Sequence, residues 1–123
     1  MLIPVILGSH KDLPVGNKIY NELKKYELET VIRICSAHKF PTRLLGILEQ
    51  YDRNDDIPLL VTIAGKSNAL SALICGSSLK PVLACPPLKH ETMYDLYSSV
   101  SMPSGVAPMV VLNPLNTVLA VLK

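Results

Sequence analysis

Leu2-Ile3-Pro4-Val5-Ile6-Leu7-Gly8-Ser9-His10-Lys11-Asp12-Leu13-Pro14 opens the chain and sets its architecture. The run Leu2–Leu7 is apolar on both faces, which suits a strand buried inside a parallel sheet. Gly8-Ser9 breaks it with a turn. Asp12 and Pro14 then stand where a helix cap and first helical turn are expected. Val15, Ile19, Leu23 and Tyr26 follow on one helical face, so the segment reads as strand, loop and helix in immediate succession.

The same unit recurs along the sequence. Further apolar runs lie at Val31–Cys35, Leu59–Ala64, Val82–Cys85 and Met109–Leu112. Helical spacing covers Thr42 to Tyr51, through Leu44, Leu45, Leu48 and Tyr51. The stretch from Ser67 to Leu79 is small or apolar nearly all round and is expected to be a buried helix. Thr92–Val100 reads as helical too. Asn113-Pro114 looks like a cap and first position for a helix through Leu115, Val118, Leu119 and Leu122. Five strands alternating with helices predict an α/β protein, a three-layer flavodoxin-like domain with a parallel five-stranded sheet, spanning residues 1–123. Ligands of such sheets bind outside the carboxyl ends of the strands.

Bulk composition narrows the function classes. The 123 residues carry 12 Lys+Arg and 10 Asp+Glu, a net charge of +2, too balanced to argue for nucleic acid or an anionic membrane. No apolar run approaches a membrane span, and no basic region precedes the first strand as it would in a secretory signal. Hydrophobic residues make up 49% and charged residues 18%, so either the core is unusually complete or, as expected for so small a domain, a partner covers some apolar surface, which agrees with a homo-oligomer. Cys35, Cys75 and Cys85 suggest no disulfide framework, and with scattered His10, His38 and His90 they offer no metal-ligand spacing. The expected compartment is cytoplasmic, with no metal and no cofactor.

Polar residues cluster where the strands end. After the first strand, Ser9 and nearby amides could hold an anion and Asp12 could accept sugar hydroxyls, or the segment is a plain capped turn. After the second, Ser36-Ala37-His38-Lys39 offers a hydroxyl, an imidazole and an ammonium for phosphate binding and proton transfer, or is an exposed polar loop. After the third, Ala64-Gly65-Lys66-Ser67-Asn68 could cradle an oxyanion with backbone amides, or simply cap a helix. Cys85-Pro86-Pro87-Leu88 is a stiff exit in which a cis peptide is conceivable and Cys85 is a small buried hydrophobe. The Ser98–Gly105 run is a rigid site loop or a connector.

In order and spacing these segments resemble the PurE family of purine biosynthesis over nearly the whole chain. Gly8-Ser9 with Asp12 and Pro14 is similar to that family's GSxSDxP loop, Ser36–Lys39 to SAH(R/K), and Ala64–Ser71 to AGRSNALS. Cys85–Leu88 and the MPSG ending at Gly105 also match. Lys39, Ser67 and Asn68, with Ala69 where the mutase branch has a second His, resemble the carboxylase branch. The resemblance implies carboxylation of aminoimidazole ribonucleotide by carbon dioxide. It implies ribose 5-phosphate binding by Gly8, Ser9, Asp12, Ser36 and Lys39, and proton transfer by His38. Gly65, Lys66, Ser67 and Asn68 would line the imidazole and carbon dioxide pocket.

Three departures stand out. Lys11 replaces a Ser, and Lys66 replaces an Arg and loses its planar fork. The sequence reaches Lys123 after about one short helix, where the resemblance implies a longer C-terminal region packed in an octamer. The alternatives are therefore a shortened paralogue that binds nucleotide or a partner without catalysis, and the mutase.

Overall fold

The computed structural model describes residues 1–123. Five parallel strands, β1 (Leu2–Leu7), β2 (Glu29–Ile34), β3 (Leu60–Ile63), β4 (Val82–Ala84) and β5 (Met109–Val110), lie in the order β2-β1-β3-β4-β5. Helices α1 (Leu13–Lys25), α2 (Pro41–Asp52), α3 (Ala69–Ser77), α4 (Leu96–Val100) and α5 (Pro114–Leu122) alternate with them. Short 3-10 segments at His10–Asp12 and His90–Asp95 lead into α1 and α4. This is the flavodoxin-like strand order, in which the chain changes direction across the sheet between β1 and β3.

Each core strand feeds both faces. Along β1, Ile3, Val5 and Leu7 pack with Ile19, Leu23 and Val118 beneath α1 and α5. Ile6 points the other way, into a cluster with Leu44, Leu48, Leu70 and Ile74 under α2 and α3. Two cores separated by one sheet explain why the central strands β1, β3 and β4 carry no polar alternation, whereas the edge strand β2 has exposed Glu29 and Arg33. Thr62 breaks the rule in β3, and its hydroxyl meets that of Ser71 on α3 at 2.7 Å, so both buried hydroxyls are satisfied.

Pro4 sits in a central strand, normally a poor place for a residue without an N–H. Leu2 and Gly8, of the same parity, both donate toward the β3 side, to Asp56 O and Ile63 O at 2.9 Å. Pro4 therefore faces that side too, and β3 pairs with β1 only from Val5 onward. No ladder bond is lost.

Several expectations need correction. The question of a cis peptide at Pro86 or Pro87, which the sequence leaves open, is answered by trans bonds throughout. Helix α3 buries Leu70, Ser71 and Ile74 but leaves Gly76 and Ser77 exposed, because the sheet covers just one of its faces. Tyr26 and Leu45 are exposed, while Gly16, Ile19 and Leu23 of α1 and Leu44, Leu48 and Tyr51 of α2 are buried. Helix α5 turns Thr117 and Val118 inward and leaves Leu115, Leu119 and Leu122 exposed. No helix is long and apolar enough to cross a membrane.

Two helical glycines test the packing. A Cβ at Gly16 would stand 3.0 Å and 3.2 Å from the Leu7 methyl carbons, whereas one at Gly46 would meet nothing within 4 Å. Gly46→Ala should raise stability by up to about 1 kcal/mol through helix propensity. Gly16→Ala gains the same term but overpacks a fully buried Leu7, at a cost of about 1–3 kcal/mol. Urea midpoints of the two variants should therefore move in opposite directions, Gly46→Ala upward and Gly16→Ala downward.

Candidate active site

Hydrogen bonding continues one rung beyond the strands at their carboxyl edge. The Gly8 amide donates to Ile63 O at 2.9 Å, Cys35 to Leu7 O at 2.9 Å and Cys85 to Thr62 O at 2.8 Å. These rungs hold four chain exits around one cavity of about 730 Å3. Gly8, Ser9, Lys11 and Asp12 line it after β1, and Ser36, Ala37, His38 and Lys39 after β2. Ala64, Gly65, Lys66 and Ser67 line it after β3, and Pro87, Lys89, Thr92 and Asp95 after β4.

The first loop is built by close approach. Gly8 has no positive φ, so a left-handed turn does not explain it. A Cβ there would lie 3.3 Å from Ala64 Cβ on the neighbouring exit, tighter than ordinary packing. Ser9 Oγ caps the 3-10 turn by accepting from Lys11 N–H at 3.2 Å. Asp12 does not cap α1 as expected, because its own backbone is already helical and its side chain makes no cap bond. Asp12 as a residue is 7% exposed, and it lines the cavity.

In the second loop Ser36 Oγ accepts from Lys39 N–H at 3.2 Å, and Phe40 N–H donates to Ser36 O at 2.9 Å. This closed turn ends at Pro41, the first residue of α2, and leaves His38 and Lys39 exposed on the cavity rim. Ser36 and Ser9 each use an oxygen lone pair locally and keep an O–H proton available for an acceptor.

The third loop departs furthest from the backbone cradle expected of it. Its left-handed residue is Lys66, at φ 56°, while Gly65 has room for a Cβ, with Pro87 Cγ 3.7 Å away. The Lys66 amide donates to Asp95 Oδ2 at 3.0 Å and the Asn68 amide to Ser98 Oγ at 2.8 Å. Those two donors are committed within the chain and cannot serve an oxyanion. Asn68 is 3% exposed and absent from the cavity lining. Its Oδ1 caps α3 at Ser71 N–H, 3.1 Å, and its Nδ2 donates to Ser99 Oγ at 2.9 Å.

The cavity carries an excess of positive charge. Lys11, Lys39, Lys66 and Lys89 line it against Asp12 and Asp95. The ion pairs of the chain, Lys25–Glu22 and Arg53–Glu49, lie elsewhere and leave these four ammonium groups unpaired. Unpaired cations focused in a concave site favour a phosphorylated, anionic ligand.

The architecture is shared with known proteins. The family model described as AIR carboxylase matches residues 2–123. The chain belongs to the AIR carboxylase family. Phosphoribosylaminoimidazole carboxylase of Treponema denticola is 41% identical over 96% of the chain, which covers 75% of that relative. The enzyme of the same name from Archaeoglobus fulgidus is 44% identical over 97% of the chain, which spans 66% of its length. The crystal structure of Treponema denticola PurE superposes with a TM-score of 0.92 at 40% identity, covering 98% of this chain and 77% of that one.

Within this AIR carboxylase fold, the residues missed by sequence reasoning come from one place. Lys89, Thr92 and Asp95 reach the cavity from the exit of β4, the same carboxyl edge that marked the other loops. The stiff Pro86-Pro87 pair at a strand end was the available signal. Cys85 is fully buried, its thiol approaches Leu112 O at 3.7 Å, and burial pushes the thiol up from its ordinary value.

Burial also pushes the Asp12 carboxyl up, against a backbone hydrogen bond at Ser9 that pulls it down. A raised carboxylate value means that the ionised form costs stability in the folded protein, at every pH above the folded value. Asp12→Asn should therefore melt higher than the parent at neutral pH. The advantage should shrink as pH falls and vanish near pH ~3, below the unfolded carboxylate's value. Thermal melts across that range decide it, and equal melting at neutral pH would contradict the assignment.

Proposed function

We propose that this chain carboxylates 5-aminoimidazole ribonucleotide with carbon dioxide, forming 4-carboxy-5-aminoimidazole ribonucleotide in purine biosynthesis. The observation that carries the reading is the convergence of His38 with unpaired lysines and free hydroxyls in one cavity at the carboxyl edge. Family membership supports it, and the relatives named above carry the corresponding name.

The roles proposed here are those the family resemblance implies, and the cavity lining is compatible with them. Ser9, Ser36 and Lys39 supply O–H and N–H donors to the 5-phosphate, with Lys11 adding charge. Asp12, buried and without a cap bond, accepts from the ribose hydroxyls. Gly65, Lys66 and Ser67 face the imidazole and carbon dioxide. The aminoimidazole is an enamine, so its ring carbon is already nucleophilic. Its electron pair forms the new carbon–carbon bond to carbon dioxide, one C=O π pair moves to oxygen, and the carboxylate appears. His38 then takes the proton left on that ring carbon, and the ring regains aromaticity. The reaction so written uses neither ATP nor a metal. The protein's tasks are holding two reactants together and moving one proton.

We place the protein in the cytoplasm, as a single domain acting as a homo-oligomer, with the octamer as the family expectation. Leu115, Leu119 and Leu122 repeat at helical spacing along α5 and are 52%, 50% and 40% exposed, and Met109 and Leu112 just before the helix are exposed as well. Exposed apolar residues repeated along one helix support self-association.

Two measurements test these readings. Purified protein given aminoimidazole ribonucleotide and bicarbonate without ATP should form product, and His38→Ala should lose about 10²–10⁴-fold in rate. Turnover of the N-carboxylated isomer instead would identify the mutase. Nucleotide binding with no turnover would identify a non-catalytic paralogue. In light scattering, Leu119→Glu should shift the protein to a smaller species while its circular dichroism is unchanged, because Leu119 is half exposed and belongs to neither core. An unaltered assembly would remove α5 from the interface.

A further inference from the structure

The geometry points to Asp95 and Ser98 as positioning residues that hold the Lys66 loop in its left-handed, site-forming conformation. Lysine has a Cβ, and φ 56° at Lys66 crowds it against the following carbonyl, so the loop does not favour this shape unaided. Such a conformation persists when surrounding contacts over-determine it. Here they come from one short segment, 29 to 32 residues further along.

Asp95 Oδ2 accepts from the Lys66 amide at 3.0 Å. Ser98 Oγ donates toward Lys66 O at 2.8 Å and accepts from the Asn68 amide at 2.8 Å. Its single proton is shared with Asp95 O at 2.9 Å, the helical back-bond of a serine three residues on. The peptide groups on both sides of Ser67 are thus gripped by one hydroxyl, and the amide before them by one carboxylate. Asn68 Nδ2 to Ser99 Oγ, 2.9 Å, adds a fourth tie from the same segment. Lys66 and Ser67 both line the cavity, so their placement depends on a segment that touches them from behind. Asp95 also lines the cavity, whereas Ser98 does not.

Ser98 thus acts through Lys66. Where the activity is read, the inference rests on the carboxylase reading; where the loop itself is read, it does not. Removing the hydroxyl frees Lys66 to relax toward negative φ. A glycine at position 66 has no such preference, so the same removal should matter less there.

The experiment is a double-mutant cycle on the full chain with Ser98→Ala, Lys66→Gly and the pair together. It reads kcat/KM for carboxylation and amide hydrogen exchange at residues 66 and 68. Ser98→Ala should lower kcat/KM about tenfold in the parent, the order of the left-handed cost for a residue with a Cβ, and by clearly less in Lys66→Gly. Exchange at both amides should speed up in Ser98→Ala. A second pair guards against a misfolded variant: Asp95→Asn keeps an acceptor and should retain Lys66 amide protection that Asp95→Ala loses. Equal losses in both backgrounds, or unchanged exchange at residues 66 and 68, would overturn the assignment. A parent without turnover would defeat the carboxylase reading alone, and the exchange arm would still decide the clamp.

Discussion

The parallel pairing of β1 with β3 is the constraint on which the rest depends. It begins at Val5–Val61 and is extended past the last strand residue by the Gly8 amide on Ile63 O, 2.9 Å. That final rung brings two loops so close that a Cβ at Gly8 would press on Ala64. Everything at the site is placed relative to it. The β2 loop hangs from Leu7 O through Cys35, and the β4 exit from Thr62 O through Cys85. Parallel strands all deliver their carboxyl ends to the same edge, so a buried hydrophobic sheet necessarily collects four polar loops at one place.

Polar side chains at that edge divide by what they touch inside the protein. Asn68, Ser98 and Ser99 are engaged with backbone or with one another and hold the third loop to the start of α4. Asp12, His38 and the four lysines have no ion-pair partner and line the cavity. An unpaired lysine in water is unremarkable on its own. Four around one concavity, with a carboxylate kept from solvent beside them, form an arrangement that a phosphorylated sugar would complete. The raised Asp12 value belongs to the same picture, since a ligand hydroxyl would supply the hydrogen bond that the capping geometry denies it.

The apolar excess in the composition has a definite location. Both faces of the sheet are filled by α1 with α5 and by α2 with α3, and no further layer covers the outer sides of those helices. Leu79 is wholly exposed, and the α5 leucines, Tyr94 and Tyr97 are exposed as well. A chain this size has one sheet's worth of shielding, and leucines beyond that need appear on the surface.

Much of the fold was legible in sequence because it rests on local or repeating physics. Continuous Val/Ile/Leu runs specify buried parallel strands, Pro14 and Pro114 mark helix starts, and Asn113 caps α5 by accepting from Leu115 and Asn116. Ser9, Ser36, His38 and Lys39 could be named because each follows a strand directly. Contacts between distant residues were beyond that reach. That Lys66 rather than Gly65 is left-handed follows from Asp95 and Ser98, and Asn68 is withdrawn from the cavity by Ser71 and Ser99. Lys89 and Thr92 enter the cavity through the turn after β4. That α5 turns Thr117 and Val118 inward, and none of its leucines, was settled by its packing beside α1. The sequence determined the strands, their parallel arrangement and the edge where chemistry would gather. The tertiary structure decided which polar groups at that edge hold the protein together and which stay free for a ligand. A hydrogen bond across 30 residues leaves no periodic trace in the chain that makes it.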